Sequence, residues 1–204
     1  MKRIAKLLVL TICLAALPAT AQVSSEIDGI GIYFDLEGNE YCKDFDPAPL
    51  PGGELEAYLI LTHASNTSGL VGWQCKLDID TPPGSHVWSY EFATPAMNVS
   101  MPPNFAVVVF TPVPHRSALL LATITLHVLT PGAWTFQIYP PDMGMAKLIP
   151  MTWPVYMAAD NPGVVIPMIQ VSGGEDYPVA VLNGICGVVD DEATTWGALK
   201  VLYQ

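Results

Sequence analysis

Positive charge is scarce in this chain. Its 204 residues hold 8 lysines and arginines against 19 aspartates and glutamates, a formal charge of −11. So acidic a chain repels nucleic acid and anionic membrane surfaces, which excludes both as expected partners. Long apolar runs are lacking as well. Residues 105–110 are far too few to span a bilayer, and 118–129 are broken by Thr123, Thr125 and His127. A membrane helix needs about 20 apolar residues, so no span is expected. Catalytic signatures are missing too: there is no Gly-x-Ser-x-Gly elbow, no His-Glu-x-x-His and no phosphate-binding loop. His63, His115 and His127 are scattered, and His63 beside Ser65 does not make a triad. The chain is therefore not read as an enzyme.

What is present points first to export. Lys2, Arg3 and Lys6 precede an apolar run over 7–17, and Ala19-Thr20-Ala21 offers small residues for cleavage. This is the pattern of a secretory signal peptide over 1–21. Cys13 does not read as a lipid-attachment cysteine, because Ile12 stands where a small residue is required. Loss of the signal removes three basic residues and no acids, so the charge deepens to −14. The remaining 22–204, about 180 residues, suffice for one well-buried domain outside the cytoplasm, periplasmic or secreted.

Hydrophobic residues make up 51% of the chain and charged residues only 13%, a balance that folds rather than stays disordered. Nineteen prolines and sixteen glycines punctuate it too often for a helical bundle. Over 71–80, Val71, Trp73, Cys75, Leu77 and Ile79 share one face, and Gly72, Gln74, Lys76, Asp78 and Asp80 share the other. That alternation is a half-buried strand. Thr81-Pro82-Pro83-Gly84 then turns, which predicts 86–92 as its hairpin partner. Further strands are predicted over 29–35, 56–62, 105–110, 119–129, 133–139, 164–171 and 179–185, with Pro167 confining its strand to an edge or bulge. The expected fold is all-β: a two-sheet antiparallel β-sandwich of eight or nine strands. Asp190, Asp191 and Glu192 precede Thr194 and Thr195, and Trp196, Leu199 and Leu202 recur at helical spacing. A short helix over 195–203, docked on the sandwich, is expected there.

Cys42, Cys75 and Cys186 remain after cleavage, and an exported chain oxidises one pair. Cys75 falls between Trp73 and Leu77 on the apolar face, as a buried thiol would. Cys42 and Cys186 have loop-like settings, so Cys42–Cys186 is the preferred bridge and Cys42–Cys75 the alternative.

Three clusters are candidate sites. Asp35, Glu37 and Asn39 alternate around Gly38 as oxygen ligands of a hard cation such as Ca²⁺ would; a solvated turn is the plainer reading. His86, Trp88, Tyr90 and Phe92 fall on one strand face, where Trp88 and Tyr90 would stack on sugar rings if exposed and would line the core if not. Met143, Met145, Met151 and Met157 lie in a stretch marked by Pro140, Pro141, Pro150 and Pro154 as an irregular loop; thioethers suit Cu(I), and equally fill cores. No cofactor is required by any of these.

The stretch Ala57-Tyr58-Leu59-Ile60-Leu61-Thr62, followed by Gly69-Leu70-Val71-Gly72-Trp73-Gln74-Cys75-Lys76-Leu77-Asp78-Ile79-Asp80, resembles the early strand pair of cohesin-like sandwiches. The start Gly31-Ile32-Tyr33-Phe34-Asp35 and the tail from Thr195 to Tyr203 are similar to uncharacterised secreted proteins of environmental bacteria. The resemblance implies export and a sandwich fold, without an activity. The expectation is an exported, non-catalytic protein with a structural, adhesion or surface-interaction role, whose partner outside the cytoplasm is a protein or a glycan. A carbohydrate-binding module and a Ca²⁺-binding protein are the alternatives.

Overall fold

The computed structural model of the chain describes residues 26–45, 53–81, 86–128, 132–142, 153–172 and 177–185. The signal peptide expected over 1–21, Cys186, the helix expected over 195–203 and Met143, Met145 and Met151 lie outside the described residues. Within them all regular structure is β: β1 (Gly29–Tyr33), β2 (Cys42–Lys43), β3 (Gly53–Thr62), β4 (Leu70–Asp80), β5 (His86–Phe92), β6 (Ala96–Asn98), β7 (Asn104–Val113), β8 (Ala118–Val128), β9 (Trp134–Tyr139), β10 (Val155–Ala158), β11 (Val165–Pro167), β12 (Ile169–Gln170) and β13 (Ala180–Leu182).

The strands form two sheets. The first runs β12-β1-β3-β8-β5. The second runs β11-β10-β4-β9-β13-β2, with β7 paired to β4 and β6 paired to β7. Gln74 faces both Ala106 of β7 and Val155 of β10, and Lys76 faces both Asn104 of β7 and Tyr139 of β9. So β7 holds one edge of β4, while β10 and β9 follow each other along the opposite edge.

Both sheets are mixed, which corrects the antiparallel expectation. β12 lies parallel to β1 and β13 parallel to β2. Each parallel pair joins a late strand to an early one, and a side-chain pattern carries no information about strand direction. A second correction concerns β5. It does not form a hairpin with β4; it crosses to the first sheet and pairs with β8, Phe92 facing Ala122 and Trp88 facing Leu126. Alternation tells which face of a strand is apolar, not which neighbour completes its hydrogen bonds, and β7, β9 and β10 take most of the two edges of β4. The stretch expected as one strand over 164–171 divides at Met168, so that β11 edges one sheet and β12 the other. Pro167 sits on that edge, where its missing N–H costs nothing. Met157 belongs to a strand, β10, rather than to an irregular loop.

One hydrophobic cluster joins the two sheets. Trp73, Cys75, Leu77 and Ile79 of β4 are all buried, on the face the alternation assigned. The Trp73 ring meets Phe92 of the other sheet edge-on, at 6.0 Å between centroids and 80° between planes. On β1 a Cβ at Gly31 would lie 2.6 Å from Val171 and 2.9 Å from the Tyr33 ring, so only glycine leaves room for that ring.

Asp28 ties the ends of both sheets. Its backbone is left-handed, with φ of 58°, a conformation short polar side chains tolerate. Its N–H donates to the His63 carbonyl, and its carbonyl accepts from Ile169 N–H of β12. Its Oδ1 accepts from Ser65 N–H at 2.7 Å and from the Tyr156 hydroxyl of β10 at 2.6 Å. The Tyr156 oxygen in turn accepts from Asn66 N–H at 3.3 Å. Removing the hydroxyl in Tyr156→Phe takes one of two donors from the buried Asp28 carboxylate and leaves it the Ser65 N–H, and the variant is expected to lose about 1–3 kcal/mol. Urea unfolding measures this; an unchanged midpoint would mean that the hydroxyl does not hold the junction.

Candidate functional site

A cleft opens where β5 and the end of β4 approach each other between the sheets. Leu77 and Ile79 form one wall, Trp88 and Tyr90 the other, and Asp78, Ser89, Pro102 and Pro103 complete the lining. Its volume is about 590 Å³, within the range of small-molecule sites, roughly 300–1,000 Å³.

Strand endings create the cleft. The turn before β7 stops at Leu77, whose N–H donates to the Pro103 carbonyl at 2.9 Å. Past that point Asp78, Ile79 and Asp80 pair with β9 on one side, and no described strand pairs with them on the other. β5 likewise pairs only with β8 among the described strands. Neighbouring bonds stiffen the rim. Lys76 Nζ donates to Asp142 at 3.1 Å, while Asp142 N–H donates to Asn104 Oδ1 at 2.8 Å and Asn104 Nδ2 returns a bond to Asp142 at 3.2 Å.

Trp88 and Tyr90 are half-buried and turn toward the core. Tyr90 meets Phe105 edge-on at 5.0 Å, and Trp88 lies 6.2 Å from the same ring. The two rings stand 6.1 Å apart and tilted by 45°, so they form no flat platform. Both still line the cleft. The side chain of His86 lies outside the described residues.

The acidic loop spends its ligands internally. The Asp35 carboxylate accepts from Asn39 N–H at 2.8 Å and Glu40 N–H at 3.1 Å. Glu40 pairs with Lys43 at 2.8 Å, and Glu37 points to solvent. The loop thus closes on its own amides, with Gly38 at φ of 76° making the turn. Among the described residues no three His, Cys, Asp or Glu side chains gather as a metal site. Nor do the histidines converge: His127 Nδ1 lies 3.4 Å from Glu54, and His115 Nε2 lies 3.1 Å from the Ala64 carbonyl. Asn66 and Asn98 hold their own turns by accepting from Ser68 N–H and Ser100 N–H.

Cys42 is disulfide-bonded and Cys75 is a free, buried thiol, which removes the Cys42–Cys75 pairing. Sequence reasoning missed Asp78, Pro102 and Pro103 as neighbours of Trp88. The signal for them was weak: a Pro-Pro turn is common, and only the crossing of β5 to the other sheet brings it to the cleft.

No known protein family, curated protein or solved structure matches the chain. A functional reading therefore starts from the cleft and its edges.

Burial pushes the Cys75 thiol up, and it pushes the Tyr156 hydroxyl up with help from the bond to Asp28. Burial raises Tyr33 as well, and the charge of Asp35 adds to it. Each group is neutral when protonated, so its stabilising contribution is complete below its unfolded pKa and is lost as pH rises through the folded one. Those unfolded values are about 8.5 for cysteine and about 10 for tyrosine. The urea midpoint is expected to fall from about pH 8.5 upward, and Cys75→Ala to move that onset to about pH 10. An onset that stays in place would show that the thiol is not the first group to titrate.

Proposed function

We propose that the chain is an exported β-sandwich that works by contact rather than catalysis, in adhesion, scaffolding or surface assembly. The observation that carries this reading is the lining of the cleft. Buried Leu77 and Ile79 back the cleft, half-buried Trp88 and Tyr90 offer apolar surface between two edges that no described strand pairs, and Asp78 and Ser89 add polar groups at the rim. Such a lining favours binding through desolvation and shape. The acidic composition adds repulsion of like-charged surfaces. The two sheets around one core support the sandwich. Among the described residues no helix is long and apolar enough to cross a membrane.

Export rests on the pattern at 1–21, and with it comes oxidation of Cys42 to Cys186. Mass spectrometry of the protein recovered from outside the cytoplasm is expected to find Gln22 at its N-terminus and a Cys42–Cys186 peptide under non-reducing conditions. Cys186 recovered as a free thiol would reject the pairing. Turnover of a simple ester, glycoside or peptide would reject the contact role.

A glycan-binding reading is favoured by one further observation: Trp88 and Tyr90 line the cleft beside Asp78 and Ser89, so an aromatic edge and hydrogen-bonding groups converge. Binding on a glycan array is expected to weaken about tenfold in Trp88→Ala, the scale of one lost aromatic contact. No bound glycan, or binding indifferent to that change, removes this reading.

A further inference from the structure

Among the described residues, β5 is paired on one side only. It covers seven residues without a register shift against β8. Its bonding pattern follows from one contact. Ala93 N–H donates to its facing residue Leu121 at 3.2 Å, so 93–121 is a hydrogen-bonded pair. In an antiparallel ladder such pairs alternate with non-bonded ones. Glu91 and Ser89 therefore turn their N–H and C=O groups toward β8, whereas Phe92, Tyr90 and Trp88 turn theirs outward. No described strand receives them.

Apart from Asp78, Ile79 and Asp80 of β4, the other edges among the described residues are blunted, as edges usually are. β2 and β12 have two residues each, and β11 has three, one of them Pro167. β6 has three, and Asn98 Oδ1 at its end accepts from Ser100 N–H. β5 has neither proline nor bulge, and its one acid, Glu91, stands exposed. The cleft lies along this same edge, because Trp88 and Tyr90 line it while their backbone groups point out of the sheet.

We infer that β5 takes up an extended peptide segment of a protein partner as an added strand. The segment's N–H and C=O groups bond to those of Trp88, Tyr90 and Phe92, and its alternate apolar side chains enter the cleft against Leu77 and Ile79. Glu91, exposed with Ser89 on the solvent face of β5, and the net charge of −14 left after signal cleavage select lysine or arginine at the positions between the apolar ones. This rests on the contact role proposed above and names its partner.

The probe is a displayed library of peptides of about seven residues, a common strand length, presented to the folded protein. Enrichment of sequences with apolar residues at alternate positions and lysine or arginine between them is expected. N-methylation of the alternate amides that face β5 should weaken the best peptide about tenfold, and methylation of the other amides should leave it unchanged. Hydrogen exchange at Trp88, Tyr90 and Phe92 amides should slow on binding, while that at Ser89 and Glu91 is slow already. Glu91→Lys should weaken the same peptide with no loss of fold. Failure to enrich, equal tolerance of methylation on both faces, or unchanged exchange overturns strand addition. A peptide that quenches Trp88 fluorescence yet tolerates methylation overturns it too, and leaves the contact role standing. Free protein that sediments as a dimer with the Trp88, Tyr90 and Phe92 amides already protected assigns the edge to a second copy and also overturns it.

Discussion

The hydrogen bond from the Tyr156 hydroxyl to Asp28 holds two sheets in one arrangement. Asp28 stands just before β1 in one sheet, and Tyr156 lies within β10 of the other. Around them the loop from β3 to β4 carries the chain from the first sheet to the second, and its Ser65 and Asn66 amides bond to the same two side chains. Asp28 is thus engaged through its amide, its carbonyl and its carboxylate. Burying a carboxylate is expensive unless its oxygens find donors. Here the donors come from the β3–β4 loop and from β10, so the charge is fully partnered only when both sheets are in place.

Given that junction, the opposite end of the molecule is free to stay open. β4 is longer than β7's pairing along it, so Asp78–Asp80 extend beyond the turn at Pro102 and Pro103. β5 closes the first sheet without a further strand. Leu77 and Ile79 belong to the buried core and back the cleft, while half-buried Trp88 and Tyr90 form its other wall. The same rings serve both ends of a gradient: Phe105 packs Tyr90 from the interior, and the cleft takes what remains exposed.

The inward face of β4, the burial of Cys75, and the placing of Pro167 on an edge were legible in the sequence. Each depends on local rules: alternation, the cost of exposing a sulfur-bearing apolar side chain, and the missing proline N–H. The all-β class was legible for the same reason. The membership of β5 was not, because a hairpin and a crossing to the other sheet bury the same residues. The parallel pairs β1–β12 and β2–β13 were hidden too, since they join residues far apart in sequence. Of the candidate site, Trp88 and Tyr90 could be singled out as an aromatic row, but their tilt and inward turn could not.

By itself the sequence determined the acidity of the protein, its alternation of apolar and polar residues, and the punctuation that makes strands and turns. These are properties of residues and near neighbours, and the physics that reads them is local. Tertiary structure alone decided which strands share a sheet, which edge stays open, and where Asp28 meets Tyr156. Those outcomes are set by the joint packing of distant segments around one core, where each hydrogen-bonding edge is completed or left free according to what its neighbours have already claimed.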